Sequence, residues 1–278
     1  MSSRQRDRAA DEVYGVWAGS MDQLVSYRYV GCSSVLLDRT HAEGRMQLRR
    51  DLRNPGGLLG APLAIAALDT AGINIDRYYH LALTRIDVHV LEPATDVDRV
   101  RIDGHVLREA RTQVFTGATI VDAAEPTRAI AFATADWAVL APTPDGFEYT
   151  DPGHGVPDTP DLPPLAEAYD ARPRSGGGFV IEGLSARVGI DTLHHGPILV
   201  SLEAAALEAA AARTGSGALR IEHLSVRLVS AGRCGPFVAT AEVVPLRGDT
   251  VACRAELRDE GVDGRVVATA ILRARVSR

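Results

Sequence analysis

The chain has 278 residues, a hydrophobic fraction of 46% and a net charge of −6. This length fits one large domain or two of ordinary size, and the interspersed acids and bases argue against a nucleic-acid partner. No apolar run reaches the roughly 18 residues that a transmembrane helix needs. The charged start, MSSRQRDRAADE, lacks the apolar segment of a secretory signal. We therefore expect a cytoplasmic protein without a membrane partner.

The cysteines and the lack of lysine argue against several kinds of site and reaction. Cys32, Cys234 and Cys253 lack the paired spacings of a zinc site or a disulfide framework, so we interpret them as reduced thiols. All 30 basic residues are arginines. Since the chain has no lysine, Schiff-base and pyridoxal chemistry on a catalytic lysine of this chain is excluded.

The first stretch of chain predicts a short helix and two strands. Scattered apolar residues over 10–25 suit an amphipathic helix, and residues 27–37 and 44–52 have strand-like patterns.

An apolar run that contains one acid comes next. The sequence Asn54-Pro55-Gly56-Gly57 is typical of a tight turn. The run after it predicts a helix with Pro62 in its first turn and an end near Gly72. Asp69 lies within this run, where an unpaired charge would be costly, so it is a candidate site carboxylate.

Four antiparallel strands are predicted between residues 81 and 141, from LALTRIDVHVLEP, DRVRIDGHVLREA, TQVFTGATIVDAA and TRAIAFATADWAVL. The middle pair turns at Glu109-Ala110-Arg111. Residues 141–178 hold 8 of the 15 prolines and the tract SGGG. This composition predicts a surface linker that builds no packed core and has one helical turn at 165–169.

The first pattern returns after the linker. Residues 179–188 are strand-like, a turn is predicted at 193–197, and ILVSLEAAALEAAAARTG predicts a helix that ends at Gly215. Four strands follow: LRIEHLSVRLVS, PFVATAEVVPL, TVACRAELRD and RVVATAILRARV.

The two halves have a common ancestor. Matching Gly60-Ala61-Pro62 with His195-Gly196-Pro197 gives an offset of 135, and matching Ile120 with Leu257 gives 137. A two-residue insertion explains the difference, so the sequence predicts an internal duplication. We predict an N-terminal domain at 1–140, a linker at 141–178 and a C-terminal domain at 179–278.

A unit of one apolar helix followed by long antiparallel strands resembles the hotdog fold. The spacing of Asn54, Gly57, the 60–62 turn and Asp69 resembles the N-x-x-G-x-x-H-G-G…D pattern of PaaI-like acyl-CoA thioesterases, although Gly60 replaces the histidine. In the second half, His195 and Gly196 match the His-Gly pair, and Ala204 takes the place of the acid. The resemblance implies an α+β double hotdog, with two antiparallel sheets each wrapped around a central helix.

The resemblance also implies hydrolysis of an acyl-CoA or acyl-carrier thioester to the free acid, in fatty acid metabolism. Such enzymes use no metal and no cofactor other than the CoA of the substrate, and their units often pair into homo-oligomers. A carboxylate attacks or activates water, and donors at a helix N-terminus meet the oxyanion. The site is then composite, with residues from both halves.

Two composite sites are predicted on this basis. One pairs His195 and Gly196 with Asp69, and the other pairs the donor side of the first turn with Glu203. The first-turn residues are Asn54, Gly57 and Ala61. Because Glu203 lies one residue before the matching position, about 100° around the helix, it replaces the acid only if the helix is rotated.

Three further residues are predicted from the same resemblance. Thr84 lies near the place where relatives carry a water-positioning hydroxyl. Arg108 and Arg111 are candidates for the CoA phosphates, with ordinary solvated arginines as the alternative.

A non-catalytic function is the alternative hypothesis. The first turn has lost its His-Gly-Gly, and the second half has a shifted acid. The alternative is therefore an acyl-CoA-binding or scaffold protein that kept the groove and lost turnover.

Overall fold

The computed structural model describes residues 23–143, 155–244 and 248–277. Within these residues, twelve strands form one antiparallel sheet that wraps two central helices. The predicted helix at 10–25 lies mostly outside the described residues. Only its end overlaps a described helix, α1 (Val25–Arg28), and the strand predicted at 27–37 is shorter, β1 (Ser33–Leu36).

The elements of the first half include the predicted helix and the four predicted antiparallel strands, and two short strands flank the predicted turn. In chain order, the elements are β2 (His41–Gln47), β3 (Arg53–Asn54), β4 (Gly57–Leu58), α2 (Gly60–Asp76), β5 (Tyr79–Val90), β6 (Arg99–Glu109), β7 (Gln113–Asp122) and β8 (Ala129–Pro142). The predicted turn at Pro55-Gly56 is confirmed, since it joins the paired strands β3 and β4. The strand predicted at 44–52 ends early, and its last residues form a 3-10 turn at Arg50–Leu52.

Helix α2 is the centre of the first half. Each of its residues from Gly60 to Ile75 is buried, as expected for a helix that is apolar on all sides. The predicted end at Gly72 is wrong by one turn, because Gly72 keeps helical geometry and packs near Trp137. The helix ends at Asp76, where Thr143 Oγ1 donates a hydrogen bond to the backbone carbonyl.

The second half repeats this arrangement. Its elements are α3 (Leu165–Ala168), β9 (Arg172–Pro173), β10 (Phe179–Ile181), α4 (His195–Thr214), β11 (Leu219–Leu228), β12 (Phe237–Val244), β13 (Thr250–Asp259) and β14 (Arg265–Val276). Helix α4 starts 135 residues after α2 and ends where predicted, with Gly215 in the left-handed conformation as its C-cap.

The two predicted antiparallel sheets are joined at one edge. The strand order β1-β2-β6-β7-β8-β5-β11-β14-β13-β12-β10-β9 forms a single sheet, because β5 pairs with β11 across the two halves. Each half-sheet still wraps its own helix. The order reads the same from both ends, which is the pattern of a pseudo-twofold axis at the seam between β5 and β11.

The linker is more structured than its composition suggests. The helical turn predicted at 165–169 is confirmed as α3. Tyr169, next in the chain, is fully buried, and its ring meets that of Tyr29 edge-on at 5.9 Å. The part at 144–154 lies outside the described residues. The expectation that the linker contributes nothing to the core is therefore wrong at Tyr169. None of the described helices is long and apolar enough to cross a membrane.

Candidate active site

A cavity of about 500 Å³ lies at the seam between the two halves. The pairing of β5 with β11 runs from His89–His223 to Arg85–Arg227 and then stops. Beyond this point, residues 79–84 stay with β8 and the chain after Leu228 turns away, which leaves a gap. The cavity therefore exists because two strands from different halves diverge.

Asp69, His195 and Thr84 all line this cavity. Asp69 comes from the middle of α2 and is 7% exposed. His195 is the first residue of α4. The structure thus brings together the acid of the first half and the turn of the second, as the first composite site requires.

The N-terminus of α4 has unused donors beside the cavity, which His195 lines, whereas Gly196 is buried and is not among the lining residues. The N–H groups of His195 and Gly196 belong to the first turn, where no carbonyl of the helix can accept them, and Pro197 has no N–H. No hydrogen bond among the described residues engages either group. The helix dipole adds positive potential at the same place. This end of the helix is therefore suited to stabilise an oxyanion.

Gly196 is buried under residues from other parts of the chain. A Cβ at this position would overlap Ser26 Oγ and lie 3.0 Å from Tyr169 Cε1. The close approach of α1 and of the linker tyrosine therefore requires glycine here.

Two adjacent histidines form one wall of the cavity. His194 shares a 2.7 Å hydrogen bond between Nδ1 and Ser26 Oγ, and its ring lies 3.9 Å from that of His195. Burial lowers the pKa of His194 well below its ordinary range and lowers the pKa of His195 to about 3. Both rings are therefore neutral at physiological pH. Among the described residues, none hydrogen-bonds to the buried Nε2 of His195.

Thr84 is half-buried on the part of β5 that lines the cavity, next to the last residue that pairs with β11. Its hydroxyl donates a 2.9 Å hydrogen bond to the backbone carbonyl of Asp136. The oxygen of Thr84 can therefore only accept from a ligand or a water in the cavity.

The matching helix terminus in the first half is already occupied. Glu203 is 2% exposed, and its carboxylate accepts hydrogen bonds from the backbone N–H of Gly60 (2.6 Å) and of Ala61 (2.9 Å). Burial raises its pKa to about 7, while the two amide bonds act in the opposite direction. The Glu203 carboxylate thus reaches the first turn of α2, as predicted for a rotated helix. It occupies the two amide groups that would otherwise bind an oxyanion.

Asn54 and Gly57 shape the first turn. Asn54 Oδ1 accepts a 2.6 Å hydrogen bond from the N–H of Gly56, as an Asx turn does. Gly57 has a φ of 137° and packs against Pro93. Neither residue lines the cavity at the seam, and neither do Ala61 and Glu203. The structure therefore does not bring the second composite site to this cavity.

Arg108 and Arg111 are exposed near the β6–β7 turn and do not line the cavity. Arg233, which sequence reasoning missed, is the arginine that does line it, and its side chain makes no ion pair among the described residues. Its backbone N–H is held by Asp259 Oδ2 at 2.7 Å. No local pattern around Arg233 indicates a binding role, because its place depends on how β11 leaves the seam.

Sequence reasoning also missed three residues that line the same cavity as Asp69: Asp76 at the end of α2, and Tyr79 and His80 at the start of β5. A signal for Asp76 was present, since seven residues separate it from Asp69 and place both acids on one helix face. Among the described residues, no group of three His, Cys, Asp or Glu side chains is placed to hold a metal ion.

Comparison with known proteins supports the fold. Residues 191–265 match the family model of the thioesterase superfamily. A tesB protein from Mycobacterium avium subsp. paratuberculosis is similar in structure, with 16% identity, 88% of this chain and 96% of that chain covered, and a TM-score of 0.61. A hot dog fold protein from Alicyclobacillus acidocaldarius, at 15% identity, covers 91% and 98% with a TM-score of 0.58.

This chain is a double hotdog that resembles the hotdog thioesterases. An acyl-CoA thioesterase II, TesB2, from Mycobacterium marinum aligns at 12% identity over 88% of this double hotdog and 94% of that chain, with a TM-score of 0.54. No curated protein sequence matches the chain. At these identities the solved structures establish the fold, and the family model covers the region from the α4 turn into β14.

Proposed function

We propose that this double hotdog is a thioester hydrolase that converts an acyl-CoA or acyl-carrier thioester to the free acid at the seam cavity. The observation that supports it most is the meeting of Asp69 with the open N-terminus of α4 in one cavity. The matching terminus of α2 is closed by Glu203. The proposal therefore assigns one working site to the chain.

The reaction follows from these positions. The thioester carbonyl accepts the N–H of Gly196, where the helix end favours the negative charge of the tetrahedral intermediate. Asp69 takes a proton from a water whose oxygen bonds to the carbonyl carbon, and the Thr84 oxygen orients that water by accepting a hydrogen bond from its other O–H group. Collapse breaks the C–S bond, and the proton on Asp69 passes to the leaving sulfur.

A direct attack by Asp69 on the carbonyl carbon is the second route. It forms a mixed anhydride and breaks the C–S bond, which releases the thiolate. Water then opens the anhydride, which gives the free acid, returns Asp69 as a carboxylate and releases the proton that the thiolate takes up. Both routes need the same carboxylate and the same amide donor. His195 is neutral in this environment, so it serves as a hydrogen-bonding wall and not as a cationic acid.

Arg233 gives the anionic carrier a place to bind. It is exposed and lines the cavity, and a guanidinium pairs well with phosphate. Arg108 and Arg111 remain predictions for phosphate contacts outside the cavity.

The test is thiol release from acyl-CoA and acyl-carrier substrates of graded chain length. We expect turnover that Asp69→Asn lowers about 10²- to 10⁴-fold, with substrate affinity retained. Asp103→Asn removes the same charge from an exposed site on β6 and should leave kcat unchanged. Equal kcat for Asp69→Asn and the parent protein contradicts the proposed role of Asp69.

The non-catalytic alternative has one supporting observation, the closure of the α2 terminus by Glu203. It shows that half of a symmetric pair of sites can lose access to its donors. Saturable binding of CoA esters with no thiol release from any substrate would select this alternative.

A further inference from the structure

The loop that joins β11 to β12 forms part of the seam cavity. We call residues 230–236 the cavity loop. Three of its residues line the cavity, Arg233 among them. The backbone carbonyl of Gly232 accepts a 2.8 Å hydrogen bond from the N–H of Leu193. The cavity loop therefore lies against the turn that precedes α4.

One buried carboxylate holds the backbone of the cavity loop. Asp259, the last residue of β13, is 1% exposed. Its Oδ2 accepts hydrogen bonds from the N–H groups of Arg233 (2.7 Å) and Cys234 (3.1 Å), and its Oδ1 accepts one from the N–H of Gly235 (2.8 Å). Burial alone would raise the pKa of this carboxyl, but the hydrogen bonds from the amides outweigh burial and lower the pKa. Asp259 is therefore an anion at neutral pH.

The middle of the cavity loop depends on this carboxylate. Among the described residues, no hydrogen bond between backbone groups involves residues 233–235. Gly235 is in the left-handed region, with a φ of 73°, and glycine leaves the unfolded chain many other conformations. The Asp259 carboxylate thus supplies the hydrogen bonds that fix this part of the backbone, and one of them is made directly to Arg233.

Arg233 is the side chain that this arrangement places at the cavity. Among the described residues that line the cavity, it is the only one with a permanent positive charge. The other charged lining residues are the acids Asp69 and Asp76, which do not attract a phosphate. An anionic ligand in the cavity therefore depends on Arg233 for a favourable charge.

We infer that Asp259 is a positioning residue for binding of the carrier: it fixes the cavity loop so that the Arg233 guanidinium meets a phosphate of the carrier. This inference rests on the proposed function. Both CoA and the phosphopantetheine arm of an acyl carrier contain such a phosphate. A loop that is ordered before the ligand arrives does not have to be ordered on binding, so more of the attraction between guanidinium and phosphate appears as affinity.

The first half offers a matched control. By the offset of 137, Asp122 corresponds to Asp259, and the two are the last residues of β7 and β13. Asp122 is 8% exposed and accepts a 2.8 Å hydrogen bond from the N–H of Ala124, but neither of these residues lines the cavity. Asp122→Asn therefore makes the same chemical change at an equivalent strand end, away from the cavity loop.

Three thioesters with one acyl group test the inference: octanoyl-CoA, octanoyl-phosphopantetheine and octanoyl-pantetheine, which has no phosphate. The measured quantity is the kcat/KM of each phosphorylated ester divided by that of octanoyl-pantetheine. We expect Asp259→Asn to lower this ratio about tenfold, mainly through KM, because asparagine has one acceptor oxygen and meets the remaining N–H with its own NH₂ group. Arg233→Gln should lower the ratio about 10- to 100-fold, and Asp122→Asn should leave it unchanged.

The two phosphorylated esters distinguish the two carriers. A lower ratio for both esters places Arg233 at the phosphate that CoA and phosphopantetheine share. A lower ratio for octanoyl-CoA alone places it at the nucleotide end of CoA. An unchanged ratio for both esters in Arg233→Gln or in Asp259→Asn overturns the inference.

A double variant shows whether Asp259 acts through Arg233. If it does, Asp259→Asn combined with Arg233→Gln should have the same ratio as Arg233→Gln alone, because the second change then has nothing left to disturb. A further fall in the double variant contradicts the positioning role. Thermal unfolding of each variant shows whether it is folded.

Binding to the parent protein provides a test that needs neither turnover nor a folded Asp259→Asn protein. S-methyl-CoA and S-methyl-pantetheine are stable analogues that differ in their phosphates. Cys234 is exposed beside Arg233, whereas Cys32 and Cys253 are buried. We expect S-methyl-CoA to bind more tightly by calorimetry and to slow alkylation of Cys234 more strongly. Equal affinity and equal protection overturn the inference, whereas hydrolysis of none of the three esters contradicts the proposed function alone.

Discussion

The acids of the two central helices, Asp69 and Glu203, lie one position apart in the repeated pattern and have different surroundings. Glu203 binds the N–H groups of Gly60 and Ala61, whereas Asp69 lines the cavity that also contains His195. By the offset of 135, Glu203 corresponds to Leu68, and Asp69 corresponds to Ala204. The Glu203 side chain is longer and starts one position earlier in the repeated pattern. It therefore reaches the N-terminus of α2 and occupies the amide groups there. A single step along the helix thus separates an acid that closes a site from one that faces a cavity.

The Glu203 contact makes stability depend on pH. Burial raises its pKa from an ordinary value of 4.5 to about 7, so the folded state binds the proton more tightly than the unfolded state. The contribution of this group is then full below about pH 4.5 and is lost as pH rises through 7. We expect the parent protein to lose up to about 3 kcal/mol of stability relative to Glu203→Gln over this range.

Denaturant unfolding of both proteins between pH 5 and 8 measures this difference. Asp76 titrates in the same direction, and His194 and His195 act in the opposite direction, but all three are present in both proteins and cancel. A parent protein that gains stability relative to Glu203→Gln with rising pH would show that the two amide bonds and the α2 dipole outweigh burial. We expect Glu203→Gln to retain thioester hydrolysis at the seam cavity, because Glu203 does not line it.

At the scale of elements, the two central helices begin alike and differ in what covers their first turns. The α2 terminus is covered by Glu203, and the α4 terminus is packed by Ser26 and Tyr169 beside Gly196 while its amides stay open. The packing fixes the direction of those amides. Preorganised donors of this kind contribute to catalysis because they need no reorganisation during the reaction.

Gly196→Ala is expected to disturb this terminus. The new methyl group would overlap Ser26 Oγ and press on Tyr169, which should cost about 1–3 kcal/mol of stability and displace the amide. Gly72→Ala, in the interior of α2, meets only ordinary contacts at 3.6 and 4.0 Å and should gain about 0.5–1 kcal/mol. Thermal unfolding of both variants and kcat of Gly196→Ala measure these effects. A Gly196→Ala protein with unchanged stability and kcat contradicts the tight packing.

The sequence predicted the central helices and most of the strands, because the two halves repeat the same turn and helix pattern. The repeat of Gly60-Ala61-Pro62 at His195-Gly196-Pro197 predicted both helix starts, and Asp69 and His195 line the same cavity. The composite site itself stays a prediction. The direction of Glu203 was beyond sequence reasoning, since helix phase alone does not say which neighbour a side chain reaches. Arg233 was missed for the same reason, because only the divergence of β5 and β11 brings it to the cavity.

At the scale of the whole molecule, the seam and the linker join the halves. The pairing of β5 with β11 merges the half-sheets into one, which composition and periodicity cannot reveal. The composition of the proline-rich linker predicts a segment outside the core, yet Tyr169 packs against Tyr29 of the first half and beside Gly196 of the second. One buried ring among many prolines leaves no periodic signal.

Tyr169 is therefore expected to stabilise the contact between the halves through its ring and not through its hydroxyl. It is fully buried, and its Oη has no hydrogen-bond partner in the part of the chain that the structure describes. Removing the ring in Tyr169→Ala opens a cavity and should cost about 3–5 kcal/mol. Tyr169→Phe keeps the ring and removes an unsatisfied polar atom, so its stability should equal or exceed that of the parent protein. Chemical denaturation of the full chain measures both variants. A Tyr169→Phe protein as unstable as Tyr169→Ala would mean that the hydroxyl, not the ring, holds the linker against the two halves.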